Sequence, residues 1–149
     1  MIPPLTNIQL AALLPDAVIL SYDQIPTRVE CLPASYIFNT DKSDEAGTHW
    51  ISIFFDGERR CQYFCPLATE PYGDFYDFVE KNSREAFYNK TTVQAPLSSL
   101  CGYYCVYHLA HAARGYSLTD VVNRFSPTDW PKNEKKVLDF VEKILDSRL

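Results

Sequence analysis

The pattern of apolar and polar residues predicts one short helix followed by several strands in the first half of the chain. Thr6 and Gln9 form a capping-box pattern in LTNIQLAALL, a helix expected to end at Pro15. The runs AVILSYD and SYIFNTD are rich in the Val, Ile, Tyr and Phe residues that strands favour. In THWISIFFDGERRCQYFC, two strand-like runs flank Asp56 and Gly57, and we expect a hairpin there because glycine supplies the positive φ of tight turns.

The second half is predicted to be mainly helical. YGDFYDFVEKN has apolar residues at helical spacing, whereas TTVQ is predicted to form one more strand. A helix is predicted from Ser98 or Ser99, as N-cap, to Gly115. SLTDVVNRF repeats the capping-box pattern, and NEKKVLDFVEKILDSRL has one apolar face to pack on the core. These elements predict an α+β fold, with a small, mostly antiparallel sheet flanked by helices, in a single domain of residues 1–149.

Charge and composition argue against nucleic-acid-binding, membrane-spanning and secreted proteins. The net charge of −5 over 149 residues argues against a nucleic-acid-binding surface, which needs a basic stripe, and would suit a basic peptide partner. No apolar run approaches the ~20 residues of a membrane span. The N-terminus has no basic segment, so we expect no signal peptide. We therefore expect the five cysteines to be reduced thiols in an intracellular compartment, where the NKT pattern at 89–91 would not be glycosylated.

The segment VQAPLSSLCGYYCVYHLAHAARG contains the strongest candidate for chemistry. Cys101 lies in the first turn of the predicted helix, where unpaired N–H groups favour an anion. Such a position, with an imidazolium nearby, can lower a thiol pKa from ~8.5 to roughly 3.5–7.5. Gly102 has no side chain and would let another segment approach the helix start. The amide of Gln94 could donate to an oxyanion. His49 begins a predicted strand, which could present it to a cleft. The alternative is that Cys101 is simply a buried structural thiol.

The order GTHW followed by Q-x6-CG resembles the adenovirus-type cysteine proteases (adenain-like) and, more distantly, the SUMO and ubiquitin-like protease clan. YDQIP, IFNTD and QYF lie in the same order ahead of the cysteine and extend the resemblance over most of the chain. The resemblance implies a papain-like, adenain-like fold with the nucleophile at the N-terminus of a central helix. It implies Cys101 as nucleophile, His49 as general base and Gln94 as oxyanion-hole side chain.

One position departs from the family. Where adenain-like sequences have a Glu or Asp as third member of the triad, this chain has Cys65, and a neutral thiol is a weak acceptor for an imidazole N–H. Three outcomes follow: a working but weaker Cys–His dyad, a replacement acid such as Glu70 or Asp74, or an inactive enzyme kept as a binding module. Under oxidation, Cys65 could also pair with Cys101 in a regulatory disulfide.

The resemblance also implies a function. A cysteine endopeptidase of this type would cleave precursor proteins near small residues, notably glycine, and mature viral capsid and core precursors in the host nucleus or the virion. A basic peptide and DNA would be its activators, but the acidic charge argues against DNA, and Ser83, near the position of the family's peptide-linking cysteine, argues against a disulfide-linked peptide. The alternatives are a deubiquitinase or SUMO-type isopeptidase, and a peptide-binding module without catalysis.

Other residues on the same helix compete for these roles. Cys101, Cys105 and His108 share one helical face, which could offer metal ligands together with His49, but a buried core face explains the pattern better, and we expect no metal site. As bases, His108 and His111 would lie about 10 and 15 Å along the helix from Cys101, too far for direct proton transfer.

Overall fold

The computed structural model describes residues 2–44 and 49–148. It contains both helices and strands, which confirms the α+β class. The helices are α1 (Asn7–Leu13), α2 (Gly73–Asn82), α3 (Cys101–Ala112), α4 (Leu118–Val122) and α5 (Trp130–Asp146), and the strands are β1 (Ala17–Ser21), β2 (Ala34–Asn39), β3 (Trp50–Phe55), β4 (Arg60–Phe64) and β5 (Glu85–Tyr88), with a 3-10 helix at Tyr22–Gln24.

The strands form one sheet in sequence order, β1 to β5, flanked by helices. The two central pairings, β2 with β3 and β3 with β4, are antiparallel, whereas β1 with β2 and β4 with β5 are parallel. The sheet is therefore mixed and contains more parallel pairing than the sequence patterns predicted. The reason is that a hairpin pattern reports only neighbouring strands, while β5 reaches its place through the crossover helix α2.

Alternate residues of β3 bury opposite faces of the sheet. Trp50 and Phe54 pack with α1, α3 and α5 on one face. Ile51 and Ile53 pack with the phenylalanines of α2 on the other. Every residue of β3 is buried, so this strand is the centre of the core, and α3 lies directly on it.

The predicted hairpin joins β3 to β4, but its left-handed residue is not the glycine. Arg59, not Gly57, has positive φ, at 61°. The Arg59 guanidinium donates to the carbonyls of Val29 and Asn82, and these bonds hold a non-glycine residue in that conformation. The carboxylate of Asp56 accepts backbone N–H groups of the turn, as an aspartate at a turn start commonly does.

Two predictions about the segment before α3 are wrong. TTVQ is not a strand, because the N–H groups of Val93 and Gln94 bond to the carbonyl of Pro66 instead of to a sheet. Neither serine caps α3, whose N-cap is Leu100, with the helix starting at Cys101. The predicted capping box of α1 is confirmed. In the part of the chain that the structure describes, no helix combines the length and apolarity needed to cross a membrane.

Candidate active site

Cys101 is the first residue of α3, and its side chain is buried, with 3% exposed. The backbone N–H of Trp50 in β3 donates to its sulfur over 3.3 Å. The N–H groups of Cys101 and Gly102 also stabilise negative charge on this sulfur. The thiol therefore lies at the point of the fold where unpaired helix N–H groups meet the central strand.

The protonation of Cys101 differs from the sequence expectation. Burial is the largest influence and raises its pKa, and the N–H groups of Trp50, Gly102 and Cys101 offset this only in part. Burial also lowers the pKa of His49. Both shifts favour the uncharged forms of the two groups. Desolvation therefore outweighs the helix start in its effect on the pKa of Cys101.

His49 lies immediately before β3 and is partly buried. Its backbone carbonyl accepts the N–H of Thr40 over 2.9 Å, which ties it to the end of β2. Its Nε2 lies 3.4 Å from the sulfur of Cys65. The preceding motif residues, Gly47 and Thr48, lie outside the described residues.

Cys65 directly follows β4 and is 1% exposed. Its sulfur contacts His49, and the resemblance to adenain-like sequences implies a carboxylate at this position of the chain. Of the two proposed replacement acids, neither Glu70 nor Asp74 forms a hydrogen bond or ion pair with His49 within the described parts of the chain. The imidazole therefore has a thiol, not an acid, as its partner at Nε2.

Asn89 fixes the backbone of Cys65 in this place. Its side-chain oxygen accepts the Cys65 N–H over 3.0 Å, and its amide nitrogen donates to the Cys65 carbonyl over 2.6 Å. Asn89 is 5% exposed. Sequence reasoning treated this residue only as part of a glycosylation pattern. No pattern in the sequence could have revealed that its amide pairs with a residue 24 positions away.

Gln94 lies in the turn before α3 and is 1% exposed. Its Nε2 donates to the Ser98 carbonyl over 2.9 Å, which leaves the second N–H of that amide for another acceptor. Its Oε1 is buried without a partner among the described residues. The Ser98 bond therefore fixes the orientation of this amide in the turn that leads into α3.

The competing residues on α3 are occupied by other bonds. Nδ1 of His108 pairs with the Ser52 hydroxyl over 2.7 Å, and its Nε2 pairs with the Gln62 side-chain oxygen over 2.9 Å. With both ring nitrogens engaged, His108 acts neither as a base for Cys101 nor as a metal ligand. Nδ1 of His111 bonds to the carbonyl of Tyr107. Among the residues that the structure describes, no group of three or more His, Cys, Asp or Glu could hold a metal ion, and all five cysteines are free thiols.

A cleft of about 380 Å³ borders Trp50, the residue whose N–H contacts the Cys101 sulfur. Its apolar lining comes from Pro4, Leu5, Ile19, Leu20 and Trp50. Its polar lining comes from the N-terminal segment, the end of β1, the 3-10 helix, the end of β2 and the chain after it; it includes Thr6, Asn7, Ser21, Gln24, Asn39 and Ser43. Such a lining suits hydrogen bonding to an extended backbone.

No family model matches the chain, and no curated protein matches it by sequence. Solved structures that share its fold include the following two. The ASFV pS273R protease has a TM-score of 0.59 at 16% identity, covering 80% of this chain and 62% of the protease. ChlaDub1 from Chlamydia trachomatis has a TM-score of 0.57 at 17% identity, covering 74% of this chain and 60% of ChlaDub1. The SUMO protease Ulp1, with its catalytic cysteine oxidised to a sulfonic acid, has a TM-score of 0.36 at 16% identity, covering 60% of this chain and 47% of Ulp1.

The chain spans about three fifths of the length of the first two structures. At such low identity, these two likenesses establish the fold alone. They confirm the predicted α+β architecture as one that a known protease uses.

Proposed function

We propose that this chain is a cysteine peptidase with Cys101 as nucleophile and His49 as general base. The observation that supports this most is the bond from Trp50 N–H to the Cys101 sulfur, since it joins the first residue of α3 to the residue next to His49. A thiol at a helix start that contacts the residue next to a histidine offers the two groups that thiol-dependent acyl transfer requires.

In the proposed reaction, His49 removes the Cys101 proton as the sulfur attacks the carbonyl carbon of the scissile peptide. The resulting oxyanion accepts from the backbone N–H of Cys101 and from the second N–H of the Gln94 amide. His49 then protonates the amine as the C–N bond breaks, leaving a thioester on Cys101. Water, deprotonated by His49, hydrolyses the thioester and restores the thiol.

The proposed substrates are polypeptides cut next to glycine or other small residues. A thiol that is 3% exposed can be approached only where the substrate lacks large side chains beside the scissile bond. The cleft at Trp50 offers polar walls for the backbone on one side of that bond. Precursors of viral capsids and cores are the proposed natural substrates. A basic peptide is the proposed activator class, because the chain is acidic.

The test is turnover of a panel of fluorogenic peptides with glycine on each side of the cut, beside linear ubiquitin and SUMO fusions. We expect cleavage of glycine-containing peptides that is lost in Cys101→Ala and His49→Ala and retained in Cys31→Ala, which removes an exposed thiol. Preference for the folded fusions would instead assign an isopeptidase. A glycine-peptide acyl probe should add its mass to Cys101; labelling of another cysteine would contradict the proposal.

A peptide-binding module is a second candidate, and the contact of His49 with a thiol instead of a carboxylate favours it. This function predicts binding of glycine-containing peptides without product, at an affinity unchanged by Cys101→Ala. Calorimetry on the same peptides, followed by mass analysis of the mixture, separates the two functions.

A further inference from the structure

The third position of the site contains a hydrogen-bond donor where a triad needs an acceptor. The sulfur of Cys65 lies 3.4 Å from Nε2 of His49. Cys65 is a free thiol, and Asn89 holds its backbone through two bonds, so the sulfur is directed at the ring by the fold. The structure therefore shows that the Cys65 sulfur and Nε2 of His49 are in contact. Which of the two atoms carries the proton depends on how well each donates and accepts.

A neutral imidazole has one N–H and one acceptor nitrogen. A thiol has one proton to donate and a sulfur that accepts poorly. Of the two ways to pair them, S–H to nitrogen uses the strong acceptor, whereas N–H to sulfur uses the weak one. Burial lowers the pKa of His49 and so keeps its ring in the neutral form that this choice requires.

We propose that Cys65 donates its S–H to Nε2 of His49 and thereby holds the imidazole in the tautomer protonated at Nδ1. The tautomer itself is inferred from the contact between Cys65 and His49. Its effect on catalysis rests on the proposed peptidase function. Cys65 is then a positioning residue that acts on Cys101 through His49.

The consequence is a resting base with its proton on the wrong nitrogen. Because Cys65 occupies Nε2, Nδ1 is the nitrogen left to serve Cys101. In a triad, a carboxylate accepts from the far nitrogen and leaves the near one free to take the nucleophile's proton. With Cys65 as donor, Nδ1 already carries a proton and has no lone pair left to accept the proton of Cys101. The site is therefore held in a low-activity state, and an acceptor at position 65 should release it.

The direct test is nitrogen-15 NMR of the full chain labelled at histidine. Only three histidines are present, so His49→Gln identifies the His49 signals. We expect wild-type His49 to be protonated at Nδ1 at neutral pH. Cys65→Ala should lose this preference, and Cys65→Asp should reverse it to Nε2. Cys61→Ala, which removes the buried thiol of β4, should leave the tautomer unchanged.

Protonation at Nε2 in the wild type would overturn the proposal, and so would an unchanged tautomer in Cys65→Ala. Should the buried carboxylate of Cys65→Asp unfold the chain, Cys65→Ala still decides the question.

A second readout separates this inference from the peptidase function. If both hold, Cys65→Asp should raise kcat on glycine peptides by roughly 10²-fold, the scale of one correctly poised general base, with KM little changed. If the tautomer reverses as expected and no variant cleaves any substrate, the peptidase function fails while the inference stands. If wild type cleaves well and Cys65→Asp brings no gain, the inference fails and the peptidase stands.

Discussion

The backbone N–H of Trp50 donates to the sulfur of Cys101 over 3.3 Å, from the first residue of β3 to the first residue of α3. Trp50 directly follows His49, so this one bond sets the helix that carries the thiol against the strand that carries the imidazole. Gly102 makes the approach close. A β-carbon there would lie 3.3 Å from the Leu5 side chain and 3.4 Å from the Trp50 ring.

Substitution of Gly102 tests this close approach. Gly102→Ala should displace the Leu5 side chain by a few tenths of an ångström and crowd the Trp50 ring, and so disturb the bond from Trp50 to Cys101, because the added methyl group lies closer to Leu5 than β-carbons ordinarily do. We expect a loss of stability of about 1–3 kcal/mol, as for overpacked cores, together with a fall in kcat. Gly57→Ala is the matched control, since a β-carbon there meets nothing within 4 Å. Equal kcat values for the two variants would show that Gly102 is not needed for the geometry of the site.

The raised pKa of Cys101 predicts slow alkylation at neutral pH. A thiol whose pKa lies above the ordinary value has little thiolate at pH 7, and its thiolate fraction grows only as the pH rises through that value. Site-resolved iodoacetamide labelling should therefore modify exposed Cys31 faster than Cys101 at pH 7, with Cys101 gaining steadily above pH ~9. His49→Ala should change the neutral rate little. Rapid labelling of Cys101 at pH 6 that depends on His49 would reveal a preformed ion pair instead.

Removal of the Gln94 amide should affect turnover more than binding. Gln94→Ala is expected to lower kcat by ~10²–10³ with KM nearly constant, as for the loss of one oxyanion donor. Gln94→Glu should lose as much, because its carboxylate cannot donate to an oxyanion. Gln9→Ala, which removes only a bond in the capping box of α1, should lower stability and leave kcat unchanged. A parallel loss of kcat in Gln9→Ala would attribute the Gln94 effect to general destabilisation.

The helices and strands were predictable where they are determined by contacts between residues close in sequence. Thr6 and Gln9 predict α1, and the strand-like runs around Asp56 predict the hairpin. Each of these sequence patterns spans only a few residues. The placement of Cys65 beside His49 was also predicted, although from a family resemblance.

What was missed depends on residues distant in sequence. TTVQ has the composition of a strand, but its N–H groups bond to the carbonyl of Pro66, which no local pattern reports. The pKa of Cys101 was expected to fall at a helix start. It rises instead because burial, a property of the whole packed site, outweighs the N–H groups around the sulfur.

The burial of His108 predicts that the free energy of unfolding decreases at acidic pH. Full burial lowers its pKa to about 3, from 6.5 for the exposed side chain. Between these values the unfolded chain binds a proton that the folded chain does not, so stability falls as the pH drops from about 6.5 toward 3. The loss from this residue is ~1.4 kcal/mol for each pH unit in that window, which amounts to several kcal/mol in total.

Replacement of His108 by an amide removes this titration while retaining groups that can pair with Ser52 and Gln62. His108→Gln should be less stable than wild type at pH 7, yet its free energy of unfolding should depend less steeply on pH between 6.5 and 3. Urea unfolding at a series of pH values measures both slopes, and His49, which titrates in both proteins, cancels in their difference. Equal slopes would mean that His108 is protonated inside the fold. In that case Nδ1 of His108 would carry a proton and donate it to the Ser52 hydroxyl oxygen.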